Sequence, residues 1–239
     1  MNHYQLHPLK HPNIIVTPPR PSDNERLAEL LSDPRIYEQL ASPPVPYLLE
    51  HADRHLAKVI PKSKVILQAL NSTQDQDQLI SAEGCPVSSI REVREDGSEL
   101  LIGDISIDTV QSRSRRYRED ENGRFVEERN DAKQPTAPKE PGDGVVEWAI
   151  GDWLAPSHHS QGIMTDAVDT IIQDWAIPRM QVQKIVCGAF TGNPASVRVF
   201  EKNGFKTKSI IENAVEVRGR KRGIHIMEWL VAPLVADGL

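Results

Sequence analysis

The chain has 239 residues, of which 38% are hydrophobic and 26% charged, enough apolar material for one good-sized core and too little for two independent ones. Its net charge of -6 argues against a nucleic-acid or anionic-membrane binder for the chain as a whole. No stretch reaches the roughly 18 apolar residues of a membrane span, and Met1 to Lys10 lacks the apolar centre of a signal peptide, so a soluble, cytoplasmic protein is expected.

Residues 1–12 read as a flexible N-terminus. His3, His7 and His11 recur there at regular spacing but have no carboxylate or cysteine partner at ligand spacing, and no metal is expected. Residues 13–235 read as a single domain. Asn13-Ile-Ile-Val-Thr17 is a short β-branched strand stopped by Pro18 and Pro19. Ser22 with Glu25 forms a capping-box pattern, and Leu27, Leu30 and Leu31 follow at helical spacing until Asp33-Pro34. Arg35 to Leu40 adds a short helical turn. Tyr47 to Ile60 puts Leu48, Leu49, Ala52, Leu56 and Ile60 on one helical face, with Pro61 as its terminator. Lys64 to Leu70, Pro86 to Val93 and Glu99 to Ile107 read as three strands of an antiparallel meander.

Residues 108–144 form a polar insertion. Arg113, Arg115, Arg116 and Arg118 lead into Glu119-Asp-Glu121, and the segment closes on Lys133-Gln-Pro-Thr-Ala-Pro-Lys-Glu-Pro-Gly142, with too little apolar surface to order itself well beyond a marginal hairpin about Asn122-Gly123. The arginines offer a nuclear signal, against which the adjacent acidic run favours a solvated loop. Order returns at Val145 to Leu154, a strand, followed by the polar loop Ala155 to Gln161. Gly162 to Ile177 is a helix with Ile163, Ala167, Ile171 and Trp175 at intervals of four, stopped by Pro178. Val182 to Phe190 is an apolar strand in which Cys187 reads as a buried residue; with Cys85 it makes two cysteines, too few for a disulfide framework. A helix from Pro194 to Lys202 ends at Asn203-Gly204. Strands Phe205 to Glu212 and Gly223 to Val231 then flank a turn carrying Arg218, Arg220, Lys221 and Arg222.

A strand feeding through a polar loop into a helix leaves the first helical N–H groups unpaired and open to an anion. His158-His-Ser-Gln-Gly-Ile-Met-Thr165 offers such a start, with a glycine allowing close approach, although that signal alone is weak. The next part of the same strand–helix–strand unit is more specific. Asn193-Pro-Ala-Ser-Val-Arg-Val-Phe-Glu-Lys-Asn-Gly-Phe205 resembles the second half of the cofactor site in the GNAT superfamily of N-acetyltransferases, and the resemblance extends over about Val145 to Phe205. It is closest to the branch that acetylates ribosomal-protein N-termini.

The resemblance implies an α+β GNAT fold: a mixed, strongly twisted sheet with a splayed pair of parallel strands, flanked by helices on both faces. It implies acetyl-CoA as co-substrate, no metal, and an amine acceptor that is either a protein N-terminus or a small amine. The amides of His159, Ser160, Gln161, Gly162, Ile163, Met164 and Thr165 are expected at the pyrophosphate, although His159 and Met164 depart from the family's usual loop. Trp153 and Leu154 are expected to pair with the pantetheine arm, Asn193 to contact the pantetheine region, and Lys202 to lie near the nucleotide end. Gly151 is the expected place for a bulge that starts the splay.

Acetyl transfer to an amine needs a base for the amine proton and benefits from an acid for the departing thiolate. Glu147, on the strand leading to the loop, is the candidate base, with an exposed strand carboxylate as the alternative reading. Asp152 lies an odd number of residues away and so on the other face of a regular strand, and Asp104 is a further candidate. Ser196 is the candidate thiolate acid or a helix cap. The basic turn from Arg218 to Arg222 is either a solvated hairpin tip or a site for an acidic group. A GNAT-fold binding module without turnover remains the alternative to an enzyme.

Overall fold

The structure, a computed structural model, describes residues 4–8, 10–72, 84–110, 115–119, 125–129 and 147–231. Strand β1 (Ile14–Thr17) is followed by a 3-10 turn at Pro21–Asp23, helix α1 (Asn24–Leu31), the single turn α2 (Pro34–Tyr37) and the long helix α3 (Leu49–Ser72). Strands β2 (Ser89–Val93) and β3 (Glu99–Thr109) come next, then β4 (Arg115–Glu119) and β5 (Phe125–Arg129) from the insertion. The chain continues through β6 (Trp148–Leu154), α4 (Ile163–Thr170), a π-helical segment at Ile171–Ala176, and α5 (Ile177–Met180). It ends with β7 (Lys184–Phe190), α6 (Pro194–Lys202), β8 (Lys206–Val217) and β9 (Arg220–Leu230). No helix among the described residues is long and apolar enough to cross a membrane.

Seven strands form one sheet in the order β1-β2-β3-β6-β7-β9-β8. Every neighbouring pair is antiparallel except β6–β7, which is parallel. The expected mixed sheet is therefore present, and apolar side chains of its strands and helices form one continuous core that includes Ile90, Ile102, Ile105, Ile150, Ile185, Trp175, Phe200 and Met227. Cys187 is buried within it, as its apolar run predicts. Strands β4 and β5 pair antiparallel as a separate ribbon; the Asn122-Gly123 turn expected between them lies outside the described residues.

Pro61 and Pro178, expected to end helices, are instead accommodated within helical segments. Helix α3 continues through Pro61, and residues 64–70 are helix rather than strand. Its core-facing stripe does not break at the proline: Ala52, Leu56, Val59, Ser63, Ile66 and Leu70 recur every three or four residues and face the core. The buried Ser63 hides this stripe in the sequence because a serine reads as polar, yet its hydroxyl donates to the Pro86 carbonyl at 2.6 Å. Packing and that bond outweigh the one donor that Pro61 removes. At Pro178 the preceding residues widen into the π-helical segment, which draws the facing carbonyls away from the pyrrolidine ring, and one more turn of helix follows.

Two further departures concern the N-terminal region. Ser22 is not the cap of the first helix: Asp23 takes the polar role, accepting from Arg20 N–H at 2.7 Å and from the Arg91 guanidinium at 2.7 Å. Residues 1–12, expected to be flexible, make specific contacts over their described part. Leu6 and Val16 exchange backbone hydrogen bonds of 2.9 Å, covering the outer edge of β1. Tyr4 stands edge-on to the buried Trp175, ring centroids 5.5 Å apart, and burial pushes its phenol up to about 12.

Arg91 and Asp23 are 2% and 4% exposed, so neither charge has water to fall back on. Replacing one partner leaves the other buried and unpaired, and Arg91→Ala is expected to destabilise the fold by about 3–5 kcal/mol, measured as a shift of the urea unfolding curve.

Candidate functional site

The only parallel strand pair in the described sheet is also its shortest ladder. β6 and β7 pair at Trp148↔Ile185 and Ala149↔Val186 and then part. Each strand is held elsewhere: β6 stays on β3 as far as Gly103↔Leu154, and β7 stays on β9 as far as Phe190↔Ile224. The strands splay because each follows its own antiparallel neighbour as the sheet twists. No bulge at Gly151 is involved, contrary to expectation, since the β3–β6 register runs unbroken through Ser106↔Gly151.

Which backbone groups face the opened gap follows from two bonds. Val110 N–H donates to the Glu147 carbonyl and Ala155 N–H to the Ile102 carbonyl, so odd-numbered residues of β6 turn their N–H and C=O groups toward β3. The even-numbered residues face the other way: the Ile150 N–H belongs to the last bond of the β6–β7 ladder, and the Ile150 carbonyl and the groups of Asp152 and Leu154 present themselves to the gap. Trp153, expected to pair there through its backbone, turns its backbone groups toward β3 instead, although the residue borders the site. Leu154 does face the gap, and its carbonyl accepts a hydrogen bond of 2.8 Å from Nε2 of His159.

Beyond Leu154 the chain makes a turn at Pro156–His158, passes through left-handed conformations at Ser160 (φ 61°) and Gly162 (φ 85°), and enters α4. The N–H groups of Gly162, Ile163, Met164 and Thr165 have no acceptor among the described residues, the first intrahelical bond being Asp166 N–H to the Gly162 carbonyl at 3.0 Å. Four consecutive open amides at a helix N-terminus are suited to an anion. Met164 is buried beneath the helix, so its bulk does not obstruct the loop.

A groove of about 510 Å³ runs over this loop. Asp152, Trp153 and Leu154 line one side, and His159, Ser160, Gly162, Ile163, Met164 and Thr165 line its floor. Asn193, Ser196 and Lys202 of the α6 segment line the other wall. Asn193 caps α6, its side-chain oxygen accepting from Ser196 N–H at 3.2 Å, and Ser196 itself lines the groove. Of the residues expected at the cofactor, Gln161 alone does not line it.

The sequence carries no motif for the roof. Arg35, Ile36, Gln39 and Leu40, from α2 and the residues after it, close the groove from above, and the basic turn holds them there. Arg218 donates to the Leu40 carbonyl at 2.9 Å and the Pro43 carbonyl at 2.8 Å, while Arg222 donates to the Glu38 carbonyl at 3.2 Å. Arg218 also lies over the Tyr37 ring and Arg222 over the Phe190 ring, at 5.3 and 4.5 Å from the centroids. These two arginines are therefore more than a solvated tip: they fasten the residues just after α2, through the carbonyls of Glu38, Leu40 and Pro43.

Glu147 is not brought to the groove. It precedes β6, at the end of the strand away from the loop, and is bound to Lys184 at 2.8 Å, which also holds Glu228 at 2.8 Å. Burial pulls the Lys184 ammonium down, but those two carboxylates together outweigh it and hold it above its ordinary range. Asp152 is the carboxylate that does line the groove, and burial pushes it up to about 6. Asp104 is pushed up to about 7 by burial, opposed by a hydrogen bond from Ser88 and reinforced by the charges of Asp108, Asp152 and Asp23. It pairs with Trp153 and so lies on the other face of the sheet from Asp152. His158 approaches Glu92 at 3.5 Å.

A family model described as an acetyltransferase (GNAT) domain matches residues 13–206. A probable N-acetyltransferase of Bacillus subtilis, YjcK, is 36% identical over 70 residues, a match spanning 29% of this chain and 38% of that protein. Among solved structures, the ribosomal-protein-S5-alanine acetyltransferase from Vibrio fischeri superposes with a TM-score of 0.57 at 14% identity, covering 91% of this chain and 93% of its own. The spermidine N-acetyltransferase from Vibrio cholerae, solved with CoA and spermine, gives 0.57 at 13% identity, covering 91% and 95%.

Gly162 tests the loop geometry directly. A side chain at its left-handed φ of 85° costs about 1–2 kcal/mol, so Gly162→Ala is expected to lower the thermal midpoint and to weaken binding of a pyrophosphate-bearing ligand about tenfold, read by titration calorimetry.

Proposed function

The chain belongs to the GNAT acetyltransferase family, and on that premise we propose that it transfers the acetyl group of acetyl-CoA to an amine by direct attack, with Asp152 as base and Ser196 as thiolate acid. The observation that carries this reading is the placement of four open amides at the floor of a groove whose walls hold one carboxylate of raised pKa and one hydroxyl. The amides of Gly162 to Thr165 bind the pyrophosphate. The pantetheine arm lies in the gap between β6 and β7 as an added strand, meeting the backbone groups of Ile150, Asp152 and Leu154. Its thioester thereby comes alongside Asp152.

In the reaction the neutral amine adds to the thioester carbonyl, and the C–S bond breaks as the tetrahedral intermediate collapses. The nitrogen gives its proton to the Asp152 carboxylate, directly or through one water. The thiolate takes a proton from the Ser196 hydroxyl, which is restored from solvent. A free amine is mostly protonated at neutral pH, so a base poised near 6 is useful where the groove excludes bulk water. Glu147 is a weaker choice because its carboxylate is committed to Lys184.

The acceptor is an amine of either of two kinds. The resemblance of the α6 segment to the ribosomal-protein branch favours a protein N-terminus, while the likeness of fold to a spermidine acetyltransferase keeps a small polyamine as the second reading. Thiol release from acetyl-CoA, followed with peptides bearing free N-termini and with a panel of polyamines, separates the two. Cofactor binding with no thiol release on either panel would instead identify a binding module, and no binding at about millimolar CoA, far weaker than enzymes of this kind require, would reject the cofactor reading.

Asp152 must be ionised to accept the proton. With its carboxyl at about 6, Asp152 is expected to impose a limb on kcat/KM near that value, a loss of about tenfold per pH unit below it, separate from the limb set at higher pH by ionisation of the acceptor amine. Asp152→Asn should remove this limb and lower kcat by about 100-fold or more, measured by thiol release across the pH range. Glu147→Gln should leave both the limb and the rate within about twofold.

A further inference from the structure

Behind the loop that carries the four open amides, on the side away from the groove, lies a contact made by the N-terminal segment. His11 places Nδ1 2.7 Å from Oδ2 of Asp166 and Nε2 3.1 Å from the carbonyl oxygen of Gln161. Lys10 N–H donates to the same Asp166 oxygen at 2.9 Å. His11 is held in place from both sides: Leu6 is paired with Val16, and Ile14 N–H donates to the His11 carbonyl at 2.9 Å. The His11 ring also lies against Gly162, its Cε1 3.7 Å from the position a Cβ would take there. Neither His11, Gln161 nor Asp166 lines the groove, whereas Gly162 and the next three residues do.

We propose that His11 is a positioning residue for the cofactor, locking the Gln161–Gly162 peptide so that its N–H faces the pyrophosphate. This rests on the reading of the groove as the acetyl-CoA site. A trans peptide points its C=O and N–H in opposite directions. Holding the Gln161 carbonyl outward on Nε2 therefore holds the Gly162 N–H toward the groove. The loop needs such a lock. Ser160 and Gly162 are both left-handed, with φ of 61° and 85°, and a peptide unit beside a glycine rotates at little steric cost. Rotation of this one would put a carbonyl oxygen against the phosphates and withdraw an amide from them.

Asp166 gives His11 a second task. Its carboxylate is 3% exposed and sits in the first turn of α4, where a negative charge competes with a bound anion for the positive end of the helix. The carboxylate oxygen that would repel the pyrophosphate is occupied by Nδ1 of His11 and the amide of Lys10. One flat ring thus faces the carboxylate with one nitrogen and the carbonyl with the other, each of them an acceptor only. It touches neither the acetyl group nor the acceptor.

The experiment compares acetyl-CoA with S-acetylpantetheine, which carries the same thioester but no pyrophosphate, on the full chain. His11→Ala is expected to raise KM for acetyl-CoA about tenfold, with kcat within about twofold, and to leave kcat/KM for S-acetylpantetheine unchanged. His11→Gln, which keeps one donor, should fall between, and it serves if His11→Ala does not fold. A loss of equal size on both substrates would overturn the proposal, because it marks a general structural role. An unchanged KM for acetyl-CoA would overturn it as well. Failure of the wild-type protein to bind CoA in calorimetry is a separate result, which rejects the cofactor site itself.

Discussion

Everything at the site depends on the brevity of the β6–β7 ladder. Two residue pairs hold the parallel strands together, and beyond them each strand answers to a different antiparallel partner. The gap therefore has two continuous, well-bonded walls, and the Ile150 carbonyl and the edge groups of Asp152 and Leu154 face it without a strand to satisfy them. An unsatisfied strand edge near the centre of a sheet is costly unless something pairs with it. An extended ligand carrying its own amides meets that requirement, and the open helix N-terminus of α4 at the far end of β6 fixes where its anionic part must lie. Strand edge and helix terminus together dictate both the direction and the register of the bound molecule.

The two ends of the chain brace the opposite sides of this gap. From the C-terminal side, Arg218 and Arg222 bind the carbonyls of Glu38, Leu40 and Pro43 just after α2 and hold a roof over the groove. From the N-terminal side, Leu6 covers the edge of β1 and His11 reaches the back of the loop before α4. Neither brace belongs to the strand–helix–strand unit that makes the site. A unit of that length holds its own elements together through the core, but the loop and the roof are surface segments with few apolar contacts, and such segments open at low free-energy cost unless polar contacts tie them down.

Much of this was legible in the sequence where local chemistry and tertiary role agree. Asn193 caps, Pro194 starts and Gly204 ends α6 for reasons that short-range patterns express, and the alternation of β6 and β7 is plain in their apolar runs. The reading failed where a distant contact overrode the local signal. Pro61 and Pro178 look like helix ends, yet the stripe from Ala52 to Leu70 and the widened turn at Ile171–Ala176 carry the helices past them. Glu147 looks like a base because it precedes the cofactor strand, but Lys184 and Glu228 claim that end of the sheet. Parity along β6 separates Glu147 from Asp152 in the sequence itself; choosing between them required knowing which face the groove takes.

The histidines show the same distinction more sharply. His3, His7 and His11 share a spacing, and nothing local separates them. His11 differs because a turn after Pro8 and the pairing of Leu6 with Val16 deliver it to a buried aspartate 155 residues away. His159, which departs from the usual phosphate loop, donates instead to the Leu154 carbonyl, coupling the start of the loop to the end of β6. Gly162 then lies between two histidine contacts, one on the groove side through His159 and one behind it through His11. Both contacts hold backbone carbonyls, of Leu154 and Gln161, so the shape of the loop rests on its main chain and not on the side chains it carries.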